Sequence, residues 1–261
     1  GEQVEGRQAV RELLVAGRRR VKEVLVANDL EPAPILEDIL ELAEARWVPV
    51  RHIGRGKLDT LTATSASQGV LARAQQLPEH DLEELARRRR PTPAFLLALD
   101  GVTDPGNLGA VVRCAEGAGV TGVVLPRHRA VHVTPAVAKA AAGAVEYVPM
   151  ALVGGLPAAL QKLDQLGVWV VGLDSDAERS VFELPLGDEP ICLVLGAEGA
   201  GLSRLVRQRC HAVAGIPLTG QLNSLNVAAA GAVACFAVAR GRAERAEHAA
   251  PGTSPVPDAT E

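Results

Sequence analysis

The chain has 261 residues, of which 48% are hydrophobic, so it can bury either one large core or two smaller ones. Its formal net charge of −4 argues against a uniformly basic nucleic-acid binder, and an aromatic content of 2% argues against recognition by base stacking on exposed rings. No window approaches the roughly 18–20 uninterrupted apolar residues of a membrane span, and residues 1–20 lack the apolar core of a signal peptide, so we expect a cytoplasmic protein.

Residues 1–74 have the pattern of a small α/β module. The predicted elements are a helix at 5–14, a strand at 21–27, a helix at 35–45 and short strands at 47–50 and 69–72. Residues 75–93 then join a charged stretch to a Pro-Thr-Pro sequence, a composition that rarely lies in a core. We therefore predict a linker at 75–93.

Residues 94–243 show a regular alternation of strands and helices. The predicted strands are 95–99, 120–125, 145–148, 169–173, 191–195 and 212–216, and the predicted helices are 107–117, 136–142, 156–166, 202–210 and 227–238. Repeated βα units imply a parallel sheet, so we predict an α/β domain built on one. Residues 244–261 are rich in Ala, Pro, Ser and acids, which predicts a disordered tail.

The basic residues are clustered, so a local face could bind phosphates although the whole molecule is acidic. The alternative is that each cluster is a solvated surface. The clusters are residues 18–20, Arg51 with Arg55 and Lys57, residues 87–90, and Arg127 with Arg129. The cysteines, by contrast, show no CxxC or paired Cys/His spacing, so we predict buried thiols and neither a metal site nor a disulfide framework.

A first polar loop follows the predicted strand at 95–99, where an open parallel sheet places its ligands. This loop, residues 100–109, reads DGVTDPGNLG and contains Asn107. Arg113 follows on the predicted helix, six residues later. Six residues are nearly two helical turns, so we expect both side chains to face the same opening.

Two further polar loops also lie between a predicted strand and a helix. Residues 196–201 read GAEGAG, and their glycines leave the backbone bare beside the lone carboxylate of Glu198. Residues 216–226 read IPLTGQLNSLN and end where an Ala- and Gly-rich helix begins. Its amides and hydroxyls, with the unpaired N–H groups of that helix, suit a polar ligand.

Each loop alone is a weak signal. The glycine spacing is not GxGxxG and no GxxxxGK[ST] sequence occurs, so the sequence lacks the motifs expected of dinucleotide-dependent dehydrogenases and of ATPases. Glu198 could simply stabilise a helix N-terminus, and Arg113 could be a surface arginine. Ser224 is a better candidate for a helix N-cap than for a nucleophile, because no His–Asp pairing is visible.

Taken together and in this order, the loops resemble the three motifs of the SpoU, or TrmH, branch of the SPOUT class of RNA methyltransferases. DGVTDPGNLGAVVRCAEGAGV resembles the first motif, LVLGAEGAGLSRLVRQRC the second and IPLTGQLNSLNVAAAGAVACFAVARGR the third. The first 74 residues, with EGRQAVRELL and SQGVLARA, resemble the family's RNA substrate-binding extension, a fold akin to certain ribosomal proteins. The similarity is nearest to the guanosine 2′-O-methyltransferases of 23S ribosomal RNA of the RlmB type, although Ser67 stands where that group usually has His.

The resemblance implies a deep trefoil knot near the C-terminus, with the third motif threaded through a loop, which is a rare exception to the rule against knots. It also implies a homodimer and S-adenosylmethionine bound in a bent shape. The implied cofactor-binding residues are Gly172, Leu173, Gly196, Ile216, Leu218, Ser224, Leu225 and Asn226. The implied catalytic residues are Asn107, Arg113, Glu198, Ser224 and Asn226.

The expected reaction is methyl transfer to a ribose 2′-hydroxyl, which is a poor nucleophile at neutral pH and needs both alignment and proton removal. Arg113 could accept the proton, as has been suggested for the family, or it could hold a phosphate and polarise the hydroxyl. The RNA could also be transfer RNA or a ribosomal site linked to antibiotic resistance. A different class of function, a non-catalytic RNA-binding or ribosome-assembly protein, is favoured by the front module and the Arg clusters alone.

Overall fold

The computed structural model describes residues 2–65, 67–89, 91–127, 133–187 and 189–249, and it contains two β-sheets. The first sheet, with four strands, belongs to an N-terminal module. The second, with six strands, belongs to a larger C-terminal domain. Among the described residues, no helix is both long enough and apolar enough to cross a membrane.

The N-terminal module packs two helices against one face of its sheet. Its elements are β1 (Glu2–Glu5), α1 (Arg7–Ala16), β2 (Val21–Ala27), α2 (Pro34–Ala45), β3 (Val50–Ile53), α3 (Arg55–Leu61) and β4 (Val70–Ala74). The strand order is β1-β4-β2-β3, with β2 and β3 parallel and the other pairs antiparallel. Apolar side chains of α1 and α2, such as Leu13 and Ile39, form a core with β2 and β4.

Two elements of the module, β1 and α3, were not predicted, and β3 lies further along the chain than predicted. Strand β1 has only four residues with little apolar character, so its pairing with β4 decides its structure. Helix α3 is short and buries mainly Leu58. Strand β3 begins at Val50 and not at Trp47, because Trp47 adopts a left-handed conformation that ends α2.

The predicted linker is more ordered than its composition suggested. Residues 82–86 form a short helix, α4 (Leu82–Ala86), with Asp81 as its N-cap. Leu85 and Ala86 are buried against the C-terminal domain, and the His80 N–H donates to the Met150 carbonyl at 2.9 Å. The expectation that this charged stretch stays out of a core was therefore wrong, because α4 buries its two apolar side chains and leaves its charges exposed.

The C-terminal domain confirms the prediction of an α/β fold on a parallel sheet. Its elements are β5 (Phe95–Asp100), α5 (Pro105–Gly117), β6 (Gly122–Pro126), α6 (Pro135–Ala140), β7 (Met150–Val153), α7 (Leu156–Gln165), β8 (Trp169–Leu173), β9 (Ile191–Gly196), α8 (Arg204–Gln208), β10 (Ala212–Ala214) and α9 (Val227–Ala249). The strand order is β10-β8-β9-β5-β6-β7, and every neighbouring pair is parallel.

Helices cover both faces of this sheet. Along β5, Leu97 and Leu99 belong to the core formed with α5, α6 and α9, whereas Leu96 and Ala98 belong to the core formed with α4, α7 and α8. The near-continuous apolar sequence of β5 follows from this burial on both faces.

Two sequence predictions in this domain were wrong. Residues 145–148 are not a strand; a 3-10 turn (Ala144–Glu146) occupies this place, and the strand follows at β7. The left-handed Ala142 and Gly143 begin the turn, which buries Glu146 at the boundary with the N-terminal module. Helix α9 continues through Ala249, into the predicted tail, because its Ala, Arg and Glu residues favour helix and Arg240 pairs with Glu244 at 2.6 Å.

The two parts of the chain are joined by buried polar contacts beside the β7 edge of the larger sheet. The Arg19 guanidinium donates to both carboxylate oxygens of Glu146, at 3.0 and 2.5 Å, and to Glu2 at 2.5 Å. Only 3% of the Arg19 side chain and 1% of the Glu146 side chain are exposed. The Tyr147 hydroxyl donates to Glu12 at 2.6 Å, so the contact continues along α1.

Candidate active site

The second and third polar loops line one cavity of about 390 Å³ at the carboxyl ends of β8, β9 and β10. The segment that follows β8 forms a further wall. The lining residues are 173–176, 195–201, 214–216, 218, 223–225, 227 and 230. Apolar side chains such as Leu195 and Leu225 lie here beside polar ones, so the cavity suits a ligand with an apolar part and a polar part.

The loop after β9 is held closed by its own backbone. Ala197 N–H donates to the Gly201 carbonyl at 3.1 Å, and Gly201 N–H donates back to Ala197 at 2.8 Å. A Cβ added to Gly196 would lie 2.2 Å from the carbonyl carbon of Gly201, so only glycine permits this approach. Glu198 is exposed at the tip of the turn. The alternative that it stabilises a helix N-terminus was wrong, because α8 begins only at Arg204.

The first loop does not line the cavity but is tied to both other loops. The Asn226 side-chain amide donates to the Asn107 oxygen at 2.9 Å. The Asp100 carboxylate accepts from the Ser203 N–H at 2.7 Å, directly after the second loop. Asn107 is itself placed by Asp104, which accepts its backbone N–H at 2.7 Å as the N-cap of α5. The three loops therefore form one assembly.

Asn226, and not Ser224, caps the last helix. The Asn226 side-chain oxygen accepts from the N–H groups of Ala228 at 2.9 Å and Ala229 at 3.4 Å. The prediction of a capping role for Ser224 was wrong because α9 begins at Val227, which places Asn226 at the capping position. Ser224 instead lines the cavity.

Arg113 lies on an exposed part of α5 and makes no hydrogen bond or ion pair with another described residue. On a regular helix, six residues leave two side chains about 120° apart, so Arg113 and Asn107 do not share a face. That both side chains reach one opening stays a prediction. Asn107 is turned to Asn226, whereas the Arg113 side chain is exposed.

Of the eight residues expected to bind the cofactor, six line the cavity. They are Leu173, Gly196, Ile216, Leu218, Ser224 and Leu225. Gly172 lies behind the cavity wall, where an added Cβ would meet the side chains of Leu202 at 2.6 Å and Cys210 at 2.9 Å. Asn226 is likewise absent from the wall.

The segment after β8 was missed as a functional loop. Asp174, Ser175 and Asp176 line the cavity. Asp174 pairs with Arg207, and its carbonyl would lie 3.0 Å from a Cβ added to Gly215, so this segment packs closely on the third loop. The other loops were predicted because a polar stretch directly follows a buried strand. The polar residues Asp174, Ser175 and Asp176 directly follow β8 and satisfy the same criterion.

The cysteines take no part in this polar assembly. Burial raises the pKa of the Cys235 thiol to about 12 and that of Cys210 to about 11, so both stay neutral thiols near pH 7. Neutral buried thiols are poor nucleophiles.

The chain matches two family models. The SpoU rRNA Methylase family model matches residues 94–236, and the model for RNA 2′-O ribose methyltransferase substrate binding matches residues 3–80. The boundary between the two matches falls within residues 81–93, which include α4.

Curated relatives and solved structures agree with these matches. The chain is 42% identical over 212 residues to the 23S rRNA (guanosine-2′-O-)-methyltransferase RlmB of Pseudomonas aeruginosa, covering 80% of this chain and 84% of that protein. It is 35% identical over 243 residues to a putative TrmH family tRNA/rRNA methyltransferase of Bacillus subtilis, covering 92% and 96%. An AdoMet-bound rRNA methyltransferase from Sinorhizobium meliloti has a TM-score of 0.74 at 25% identity, covering 92% of this chain and 87% of that one. The SpoU methyltransferase AviRb from Streptomyces viridochromogenes has the same fold, with a TM-score of 0.75 at 22% identity over 94% and 90%.

Proposed function

Because the chain belongs to the SpoU rRNA methylase family, we propose that it methylates the ribose 2′-hydroxyl of a guanosine in 23S ribosomal RNA. The observation that carries this proposal is a cavity lined by two polar loops, with a third polar loop hydrogen-bonded to both, within a chain that covers 84% of an RlmB relative. A cytoplasmic location is consistent with such a substrate.

S-adenosylmethionine fits the cavity by the chemistry of its walls. When bound, it supplies a methyl group on a positively charged sulfur. Leu173, Ile216 and Leu225 provide apolar surface for the adenine ring. The closed loop after β9 presents bare backbone, because a side chain at Gly196 would collide with the Gly201 backbone. Asp174 and Asp176 offer carboxylate oxygens that can accept hydrogen bonds from ribose hydroxyls.

The protein's remaining task is to prepare the RNA hydroxyl. We propose that Arg113 acts on the target nucleotide, either by holding its phosphate and polarising the hydroxyl or by accepting its proton. A guanidinium stays protonated in ordinary surroundings, so the second role requires a dry site. Asn107 would orient the ribose or Arg113, Glu198 would fix the substrate or the arginine, and Ser224 and Asn226 would shape the third loop.

We also propose a deep trefoil knot and a homodimer in which Arg113 completes the site of the other subunit. The exposure of Arg113 on a face of α5 turned away from Asn107 supports this arrangement. Phe236 on α9 is half exposed beside Gly117, at the end of α5, and the small residues around it allow close approach of another backbone. The N-terminal module would be the ribosomal-protein-like domain that binds the substrate.

Transfer RNA is a second candidate substrate, favoured by the name of the Bacillus subtilis relative. Comparing purified 23S ribosomal RNA and transfer RNA as acceptors of tritium from labelled S-adenosylmethionine separates the two. We expect incorporation into 23S ribosomal RNA.

The test of the proposed site is Arg113→Ala in the same assay. We expect transfer to fall by about 100-fold or more, the range typical of a group acting on the reacting proton. Calorimetry should show nearly unchanged affinity for S-adenosylmethionine, because Arg113 is not part of the cavity wall. Arg240→Ala, which removes another exposed arginine, is the matched control. Undiminished transfer by Arg113→Ala would contradict the assignment.

The substitution Arg113→Lys separates the two roles. A lysine can still hold a phosphate, so partial activity with an unchanged pH profile supports the phosphate-binding role. Complete loss at neutral pH, with recovery as the lysine deprotonates at high pH, supports the proton-accepting role.

A further inference from the structure

A cationic groove lies at one end of the N-terminal module, where β2 and β3 begin. Its charged and aromatic side chains are Arg18, Arg20, Lys22, Arg46 and Trp47, and the space between them is about 570 Å³. Arg19 also borders it but is engaged with Glu146. Among the described residues that line this groove, none carries a carboxylate.

The other basic clusters differ because carboxylates accompany them. Arg51 and Arg73 both pair with Glu23, and Arg55 pairs with Asp29 at 2.7 Å. The clusters at residues 87–90 and around Arg127 include ion pairs with glutamates as well. Within the described ranges, the groove is therefore the basic cluster with the fewest neighbouring acids.

Within the groove, the cations fall into two groups. Arg46 donates to the Val15 carbonyl at 2.9 Å and lies over Gly17, and Arg18 donates to the Tyr147 carbonyl at 3.0 Å. Both are thus held in place. Arg20 and Lys22 are exposed and make no side-chain hydrogen bond or ion pair within the described part of the chain, so their charges are available to an anion.

Trp47 is the feature that the module's own stability does not explain. It is 93% exposed, so it contributes almost nothing to a core. Its φ of 56° places it in the left-handed region, at the helix-terminating position where glycine is usual. The Val48 N–H donates to the Ala43 carbonyl at 2.8 Å, which confirms the helix end. A bulky residue in this conformation costs folding free energy and leaves a flat ring open to solvent.

We propose that the cationic groove binds an unpaired segment of the RNA substrate, with phosphates on Arg20, Lys22 and Arg46 and one base stacked on Trp47. Stacking on an aromatic ring requires an unpaired base, and a row of cations follows a phosphate backbone. Although only 2% of the residues are aromatic, the ring of Trp47 is exposed and can stack on a base. This inference rests on the proposed function for the identity of the ligand.

The bound segment is separate from the nucleotide that is methylated. The cavity lies at β8, β9 and β10, whereas the module packs near β7 at the opposite edge of the six-stranded sheet. On one chain, several strands at about 4.8 Å spacing therefore separate the two places. The groove contributes affinity for the RNA and no group to the reaction.

The test is Trp47→Gly in the full-length protein, measured by fluorescence anisotropy with a labelled single-stranded RNA of mixed sequence. Affinity should fall by about tenfold or more, the loss expected for one stacked base. The melting temperature should stay the same or rise, because glycine adopts the left-handed conformation without strain. A structural role for the ring would instead lower it. Trp47→Phe, which keeps a ring, should retain most of the affinity.

Further arms make the result specific. Lys22→Ala should reduce the slope of log affinity against log salt by roughly 0.7, the share of one phosphate contact on a single strand, and Arg240→Ala should not. Annealing the RNA to its complement should remove the difference between wild type and Trp47→Gly. Equal affinity of these two proteins for the single strand would overturn the proposal, and acidic-peptide binding that depends on Trp47 in its place would identify a different partner.

The same proteins separate this inference from the proposed function. At saturating RNA, Trp47→Gly should transfer tritium from S-adenosylmethionine at the wild-type kcat with a raised KM for RNA. If wild type transfers none, the proposed function fails whatever Trp47→Gly does. If wild type transfers and Trp47→Gly matches it in both kcat and KM, only the role of the groove fails.

Discussion

The cavity of the C-terminal domain and the cationic groove of the N-terminal module are built on different principles. The cavity depends on backbones that approach closely, as at Gly196, and on one hydrogen bond that the Asn226 side-chain amide donates to the Asn107 oxygen. The groove depends on exposed side chains around Trp47. The backbone at Trp47 is left-handed, so it would be less strained with a glycine at this position. Substitutions in the cavity should therefore alter its shape, whereas substitutions in the cationic groove should alter only the affinity for RNA.

The buried ion pair between Arg19 of the N-terminal module and Glu146 of the C-terminal domain gives the largest expected effect on stability. Arg19→Met leaves Glu146 buried without its partner and should lower the free energy of unfolding by about 3–5 kcal/mol. If the cavity functions independently of the N-terminal module, the affinity of Arg19→Met for S-adenosylmethionine should stay near that of the wild type under conditions where the protein is folded. Chemical denaturation and calorimetry measure the two quantities.

Two further variants serve as controls for this prediction. Arg87→Ala removes an exposed i,i+4 pair with Glu83 and should cost less than about 0.5 kcal/mol. Arg19→Met combined with Glu146→Leu replaces the whole buried pair with apolar groups and should recover much of the loss. A cost below about 1 kcal/mol for Arg19→Met alone would show that the pair does not hold the two regions together.

The next largest effect tests the backbone principle of the cavity. Gly196→Ala would place a Cβ 2.2 Å from the Gly201 carbonyl carbon, so the loop after β9 must open. Affinity for S-adenosylmethionine should fall by about 100-fold, as for an ångström-scale misplacement of binding groups. Gly220→Ala is the matched control, because an added Cβ there meets nothing within 4 Å. Equal affinity of both variants would refute the role of close approach.

The smallest effect concerns the cap that joins the third loop to α9. Asn226→Ala removes the oxygen that accepts from the N–H groups of Ala228 and Ala229, and it also removes the hydrogen bond to Asn107. It should lower the free energy of unfolding by about 1–2 kcal/mol. Ser224→Ala, in the same loop, should change the stability by less than about 0.5 kcal/mol. Thermal denaturation of both variants provides the comparison, and an equal loss in both would contradict the capping assignment.

The sequence allowed prediction of what depends on local pattern. Alternating strands and helices predicted the parallel sheet, and polar stretches after buried strands predicted the loops around the cavity. The 3-10 turn at Ala144–Glu146 could not be predicted, because its sequence is β-prone and its conformation serves a contact with Arg19 more than a hundred positions away.

The exposure of Trp47 was equally inaccessible to the sequence. A tryptophan directly after an amphipathic helix is usually a core residue, and only the left-handed end of α2 turns this one outward. Arg113 differs, because six residues on any regular helix leave two side chains about 120° apart, and the predicted helix at 107–117 already implied this angle.

The most direct measurement of the central claim is the position of the transferred methyl group. Tritium from S-adenosylmethionine is transferred by the purified protein to 23S ribosomal RNA, which is then hydrolysed in alkali. A methylated 2′-oxygen cannot attack the neighbouring phosphate, so the account predicts tritium in one alkali-resistant dinucleotide that begins with guanosine. Tritium released in single nucleotides, as methylation of a base would give, or no incorporation into any RNA, would contradict it.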